Sequence, residues 1–458
     1  MPSELPTATL GPAPAPGRSF TRRSFLKALG TTALAAPFVT RDLIARPPSN
    51  VLCHASFGAS GMAWSDITAL TRFKAVQLVA VAEVDLNRTT ELKKRFPRTR
   101  IYQDWRKLLD KEGKNLDSVN VSTPDHMHAP IAMTAMQLGK NVYCQKPLTH
   151  DLYEARKLTE FAKLKGLTTQ MGIQIHSSSF YQLAAVLIQA GTIGRVKEVH
   201  SFVGSTWGDP DPRPETSDPV PRGLNWDLWQ GVCAPRPFIG NGYYHPVNWR
   251  KRLDFGTSSL GDMACHIFDP VFMALGLTAP ISVRSEGDGP NQWNWPLDCE
   301  VHYVFPGTRL TAETTLPITW YDGKRRPPES VKALLENDAY PGGGSIFVGT
   351  QGVLVLPHWS RPLLYPDKKF KDLKFPDIKE LDHWGSFVEA CLGGAKTTAG
   401  FDYSGPLAES VLVGTVALRL PKTTLHWNAP TQTFAEAEAN HFVRRQYRNG
   451  WSVKGLSQ

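Results

Sequence analysis

The residues with the clearest chemical promise lie far apart in the chain. Lys146 sits in Gln145-Lys146-Pro147, directly after an apolar run that reads as a strand, and so at a strand's carboxyl end. Asp262 and His266 lie in Leu260-Gly261-Asp262-Met263-Ala264-Cys265-His266, and a spacing of four puts both on one face of a helix. Oxidising a secondary alcohol removes a hydride and a proton. A histidine with a pKa near neutrality suits the proton, and a neighbouring carboxylate orients and tunes it. A lysine ammonium hydrogen-bonds the same oxygen as negative charge develops there. Any one of these features alone is most often structural, so the case rests on what positions them.

A nucleotide-binding half would do so. Residues 51–57 read as a strand and lead into Gly58-Ala59-Ser60-Gly61-Met62-Ala63, then into a helix carrying Ile67 and Leu70. This is the place of the G-x-G-x-x-G/A fingerprint, where glycines let the backbone turn and approach a pyrophosphate held by helix-start amides. Gly58, Ser60, Gly61 and Met62 are the candidate phosphate contacts, with Ser60 standing where the second glycine is usual. Residues 76–82 form a second strand ending at Glu83, twenty residues after Ala63. That spacing suits the carboxylate that hydrogen-bonds the adenosine ribose. A negative charge there disfavours a 2′-phosphate, so NAD is expected over NADP. Asp85 is a second candidate, Arg88 would soften the discrimination, and a plain surface strand end is the alternative for Glu83.

The alternation continues. Residues 105–109 suggest a short helix and 118–122 a strand. Thr123-Pro124-Asp125-His126-Met127-His128 then leads to a helix over 129–138 and a strand over 141–144. Such alternation predicts a parallel sheet whose strand ends carry the ligand. Thr123, Pro124, His128 and Lys146 are therefore candidate cofactor contacts. His126 and His128 have metal-ligand spacing, but no third ligand lies nearby. Loop capping or a cofactor contact is the simpler expectation, and no metal is expected.

After Gly172 the pattern turns β-rich. A helix is expected over 181–190, with strands over 196–203, 299–305, 308–316, 345–355 and 424–427. Gln174 and His176 stand at the mouth of the crevice. Tyr243-Tyr244-His245-Pro246-x-x-Trp249-Arg250 is dense in stacking and hydrogen-bonding groups, and eleven of the thirteen tryptophans lie after residue 200. Tryptophan faces suit the C–H surfaces of sugar rings. Gln174, His176, His245, Trp249, Arg250 and His266 are thus the candidate substrate contacts, with core packing or a carboxylate partner as the alternative.

Taken together, the Gly58 loop, Glu83, Thr123-Pro124, Lys146-Pro147 and Asp262-x-x-x-His266 resemble the Gfo/Idh/MocA oxidoreductases, relatives of glucose-fructose oxidoreductase and inositol dehydrogenase. The resemblance runs motif by motif over residues 49–270 and more loosely beyond, where 401–418 looks like the closing helix region. It implies an α/β chain, with an N-terminal Rossmann domain on a parallel sheet. A C-terminal α/β domain would follow, built on a large, mostly antiparallel open sheet that mediates homo-oligomer contacts, as dimer or tetramer. It also implies Lys146, Asp262 and His266 as catalytic, the histidine as proton acceptor. The family's glutamate before the lysine is Gln145 here, which changes the electrostatic setting and leaves the lysine intact.

The expected activity is NAD-dependent oxidation or reduction of a ring hydroxyl or keto group of a sugar, glycoside or polyol. Two other readings stay open. Relatives of this fold cleave glycosides by transient oxidation, elimination and re-reduction, which would release sugar without lasting NADH. A non-enzymatic sugar-binding protein would use the fold as a scaffold.

Length favours two domains. The formal charge is +9, of which Arg18, Arg22, Arg23 and Lys27 against Glu4 place +3 in residues 1–35. No arginine-rich helix or lysine run accompanies the rest, so neither nucleic acid nor an anionic membrane is expected as a partner. Thr21-Arg22-Arg23-Ser24-Phe25-Leu26-Lys27 precedes a mild apolar segment and Ala33-Leu34-Ala35, and the whole resembles a twin-arginine signal. The organisation expected is a signal over 1–35, a Pro-rich arm over 36–48, the Rossmann domain over 49–172 and the substrate and oligomerisation domain over 173–458. Export by that route implies a periplasmic or otherwise exported protein that folds first, with NAD kept bound and recycled by a second substrate. No other segment approaches about 18 uninterrupted apolar residues, so no span is expected after signal removal. The six cysteines form no C-x-x-C pair, Cys53 and Cys144 read as core residues, and one bridge among the other four stays open.

Overall fold

The computed structural model describes residues 51–336 and 338–457, so the paired arginines, the Ala33-Leu34-Ala35 segment and the whole Pro-rich arm lie outside the described residues. The first sheet contains β1 (Leu52–Phe57), β2 (Val76–Ala82), β3 (Arg100–Tyr102), β4 (Ser118–Val121), β5 (Asn141–Gln145) and β6 (Thr169–Gly172). All six strands run parallel in the order β3-β2-β1-β4-β5-β6. β4 and β6 are buried throughout, as a sheet covered by helices on both faces requires. Helices α1 (Met62–Leu70), α2 (His128–Gln137) and α3 (Leu152–Lys165) supply the cover. α3 opens with a capping box between Asp151 and Glu154, which satisfies two of its first amides. Strand order reverses between β1 and β4, and the loops that leave their carboxyl ends part there to form a crevice.

The second sheet has nine strands: β7 (Val196–Val203), β8 (Ser282–Glu286), β9 (Glu300–Pro306), β10 (Thr315–Tyr321), β11 (Gly343–Gly349), β12 (Val353–Pro357), β13 (Leu363–Tyr365), β14 (Leu425–Asn428) and β15 (Thr433–Phe434). Their order is β13-β12-β11-β7-β10-β9-β8-β14-β15, and every pairing except β7 with β10 is antiparallel. The expected α/β architecture is what the chain adopts.

Two strand expectations need correction. Residues 308–314 turn instead of extending, because Thr311 Oγ1 donates to the carbonyls of Thr308 and Glu313 and accepts from Thr308 N, so β10 starts only at Thr315. Residues 345–355 are two strands of a hairpin, β11 and β12, folded at Thr350-Gln351-Gly352.

Three later helices place the site. α4 (Ser258–Ile267) carries Asp262 and His266, α5 (His383–Cys391) packs on α1, and α6 (Phe401–Arg419) lies against α3, α4, β6 and β8. The C-terminal part of the chain therefore returns to the first sheet. Arg156 of α3 grips Glu409 of α6 through Nε (3.0 Å) and Nη2 (2.8 Å). Two glycines let α6 approach: a Cβ at Gly405 would sit 1.9 Å from Thr159 Oγ1, and one at Gly414 1.8 Å from the Tyr303 hydroxyl.

Gly414→Ala is expected to lower the unfolding free energy by ~1–3 kcal/mol, the usual range for overpacking. A urea-unfolding midpoint unchanged from wild type would mean that α6 shifts aside at no cost.

Candidate active site at the switch point

A cavity of about 480 Å³ opens where the strand order reverses. Its floor is the glycine loop. Gly58 has φ +104°, and a Cβ there would meet the Ser122 carbonyl oxygen at 2.7 Å, so only glycine fits between β1 and β4. Gly61, at φ +59°, precedes the first turn of α1 with nothing near its missing Cβ, so it is needed for conformation and not for space. Ser60 Oγ accepts from Arg88 Nε at 2.6 Å, and both side chains line the cavity. The serine in the glycine position thus anchors a guanidinium beside the loop. Glu83 also faces the cavity, but its carboxylate already accepts from Ala59 N (2.9 Å) and Asp85 N (3.0 Å). It staples the glycine loop to the end of β2, and burial raises its pKa despite those two amides.

At the far end of the cavity the two halves of the chain meet. Lys146, directly after β5, donates from Nζ to the carbonyl of Asp262 and to its Oδ1, both at 2.7 Å. Arg250 Nε reaches the same Oδ1 at 3.2 Å, and Trp207 Nε1 donates to Oδ2 at 2.8 Å. Although burial disfavours the charged carboxylate, Lys146 and Arg250 outweigh it and hold Asp262 far below the ordinary carboxylate range. The Arg250 guanidinium lies 4.3 Å from the centre of the Trp249 ring and 5.4 Å from that of Trp207. All of these groups line the cavity.

His266 does not. It sits one turn beyond Asp262 on α4, outside the cavity lining, with its ring 6.0 Å from that of His358. His358 Nδ1 bonds the Tyr181 hydroxyl at 2.7 Å. Burial, with Lys146 as the next cause, pushes the His266 pKa well below its ordinary value, and burial brings His358 down to about 4. Both rings are therefore neutral at neutral pH.

Of the other expected contacts, Gly58, Ser60, Gly61, Met62, Thr123, Pro124, His245, Trp249 and Arg250 line the cavity. His128, Gln174 and His176 do not, and each has a structural partner instead. His128 is buried between the carbonyls of Pro147 and Thr123, both at 2.8 Å, so it ties the β4 loop to the β5 loop and is closed to a cofactor. Gln174 Nε2 donates to the Tyr143 hydroxyl, and His176 Nδ1 faces Asp269 Oδ1 at 2.8 Å. His245 reaches the cavity with its nitrogens engaged: Trp229 Nε1 donates to Nδ1, and Nε2 faces Asp85 Oδ2 at 3.1 Å. Asp85 itself does not line the cavity. His126 bonds the Trp229 carbonyl, as loop capping requires. Among the described residues no group of three or more His, Cys, Asp and Glu is placed to hold a metal.

Sequence reasoning missed Trp207, His358, Tyr181 and Asp125. The last was readable, since it follows Thr123-Pro124 at a strand's carboxyl end. Asp125 lines the cavity, accepts from Thr257 Oγ1 at 2.7 Å, and is raised by burial to about 7. Its folded pKa lies above the unfolded value of 3.8, so its folded form holds a proton that the unfolded chain has lost. The resulting stability is present at low pH and is lost as pH rises towards 7. Asp125→Asn removes that slope: relative to wild type, its melting temperature is expected to rise between pH 4 and 8, and a constant difference would contradict the assignment.

The fold and part of the sequence have counterparts among known proteins. Residues 55–173 match the family model described as "Oxidoreductase family, NAD-binding Rossmann fold" of the Gfo/Idh/MocA group. Levoglucosan dehydrogenase of Pseudarthrobacter phenanthrenivorans is 26% identical over 190 residues, 41% of this chain and 40% of the relative. Inositol 2-dehydrogenase 4 of Saccharopolyspora erythraea is 28% identical over 130 residues, 28% of this chain and 38% of the relative. The chain thus aligns with less than half the length of these curated relatives. The WlbA dehydrogenase of Bordetella pertussis, solved with NADH and UDP-GlcNAcA, shares the fold with a TM-score of 0.58 at 14% identity, over 82% of this chain and 99% of that one. Residues 55–173 therefore belong to the NAD-binding Rossmann fold of the Gfo/Idh/MocA oxidoreductase family.

Proposed function

We propose that this protein is an NAD-dependent oxidoreductase acting on a ring hydroxyl or keto group of a sugar, glycoside or polyol. The observation that carries the reading is the Lys146–Asp262 contact at the end of a cavity that begins at the Gly58 loop. NAD fits that cavity: the Gly58 position leaves no room for a Cβ, and the free amides at the start of α1 suit a pyrophosphate. The amides of Ser60, Gly61 and Met62 would hold the phosphates and Glu83 the ribose, while bound NAD supplies the hydride acceptor. Arg88 on Ser60 adds a positive charge beside Glu83, so discrimination against NADP is expected to be moderate.

The chain's own residues handle the proton and the charge. His266 is neutral and is the proton acceptor. Asp262 stays ionised and holds the Lys146 ammonium in place. That ammonium, with Arg250 beside it, stabilises negative charge growing on the substrate oxygen. Trp249 and Trp207 offer apolar faces for the sugar ring. A substrate must bridge the cavity end and His266, which places it between Lys146 and the His266–His358 pair.

One observation favours a second reading, glycoside cleavage by transient oxidation and elimination. Elimination needs a second base, and neutral His358, bonded to Tyr181, lies beside His266. That reading predicts sugar release without lasting NADH. Export by the twin-arginine route and assembly into a homodimer or homotetramer complete the proposal. Both rest on the sequence, and cell fractionation and light scattering test them directly.

Lys146→Ala and His266→Ala are each expected to lower kcat/KM by ~10²–10⁴-fold, the range for a lost proton-transfer group. NADH absorbance with a panel of glycosides and polyols reads the effect. Unaltered turnover in both variants would remove the catalytic assignment and leave a sugar-binding scaffold.

A further inference from the structure

We propose that a second cavity binds a small oxyanion, a phosphate or a small carboxylic acid. It holds about 170 Å³ and shares no lining residue with the candidate active site. It lies between the start of α3, the loop at 253–254, the end of α6 and the C-terminal segment at 441–445. Three guanidiniums line it, Arg419, Arg444 and Arg445, against the carboxylates Asp151 and Asp254.

The polar groups are incompletely satisfied: Arg445 leaves two N–H donors unbonded against one unbonded acceptor, its ion-pair partner Asp151 Oδ2. Arg445 Nη2 donates to the Asp254 carbonyl at 2.9 Å, but its Nε and Nη1 are inaccessible to solvent and have no hydrogen-bond partner. Asp151 Oδ2 lies 3.6 Å from that Nε, beyond hydrogen-bond reach, while His150 Nδ1 engages Oδ1 at 3.1 Å. Arg419 lies over the Trp295 ring, with its centre 4.6 Å away, and makes one long bond of 3.4 Å to the Leu253 carbonyl. A guanidinium keeps its charge at any physiological pH, so these N–H groups cannot be silenced by losing a proton.

Charge points the same way. Asp254 is already paired with Arg236, which approaches from outside the lining. Glu154, next along α3, is raised by burial to about 8 and adds no negative charge at neutral pH. Within the lining three arginines thus face two carboxylates, one of which Arg236 already pairs from outside, a positive surplus in a partly enclosed space. Water would supply hydrogen bonds without charge. A carboxylate or phosphate accepts from a planar guanidinium fork through two oxygens side by side, supplying both. The position also matters: His150 Nε2 bonds the Leu253 carbonyl at 3.0 Å, joining the loop after Lys146 to the loop before α4. A seated anion would brace the two loops that set Lys146 against Asp262.

The test is calorimetric titration of inorganic phosphate, and separately of malonate, into the full-length protein at constant ionic strength. NAD is added in excess to fill the glycine-loop cavity. One saturable site per chain is expected, weakened about tenfold or more in Arg444→Ala or Arg445→Lys, the latter keeping the charge and losing the fork. Phosphate binding alone names a phosphate ligand, malonate binding alone a small acid, and both support an oxyanion site. A tungstate soak of crystals gives a readout independent of variants, with density expected between Arg419 and Arg445. No saturable binding of either anion to the wild-type protein, binding that both variants retain, or tungstate found only elsewhere would overturn the proposal.

Discussion

The structure turns on one buried ion pair. Asp262 brings a carboxylate into a poorly solvated crevice, which is favourable only if its oxygens are well matched. Lys146 and Arg250 share Oδ1 and Trp207 takes Oδ2, so the match is made by the β5 end, the loop before α4 and the segment after β7 together. Two cations against one anion leave net positive charge where a substrate oxygen would lie. Burial, with the Lys146 ammonium next, keeps His266 neutral. The pair therefore fixes where the two halves of the chain meet and what that junction can do.

Everything else holds the junction still. The glycine loop is pinned from one side by the Ser122 carbonyl and from the other by Glu83. Asp66 on α1 collects Gln145, Ser122 and the indole of Trp384 on α5, which locks the residue before Lys146 to the C-terminal helices. A glutamate in place of Gln145 would set two carboxylates against each other, whereas the amide donates to both Asp66 oxygens. The departure from the family pattern at this position thus has a local partner.

Much of the parallel sheet was legible because β1, β2, β4 and β5 are short runs rich in apolar residues, and β2 and β7 match their expected ends. The three-residue β3, Arg-Ile-Tyr, carries no such signal and was missed. The cavity was legible at Gly58, Gly61, Glu83, Lys146 and Asp262, where spacing constrains backbone and charge. It was not legible at His128, Gln174 or His176. Sequence displays polar density at strand ends, but the Thr123 and Pro147 carbonyls, the Tyr143 hydroxyl and Asp269 compete for the same groups, and only the fold decides the winner. Trp207 and His358 carried no periodic signal, since each reaches the site from an irregular segment or strand end far away in the chain.

If the proposed function holds, a nicotinamide cofactor and a sugar-class alcohol meet at Lys146 and Asp262. Absorbance and mass spectrometry of the purified protein for bound nicotinamide, before and after adding a panel of glycosides and polyols, test it most directly. The expected result is bound NAD that one class of these compounds converts to NADH, or that supports sugar release if elimination follows. Protein that neither carries NAD nor takes it up would contradict it.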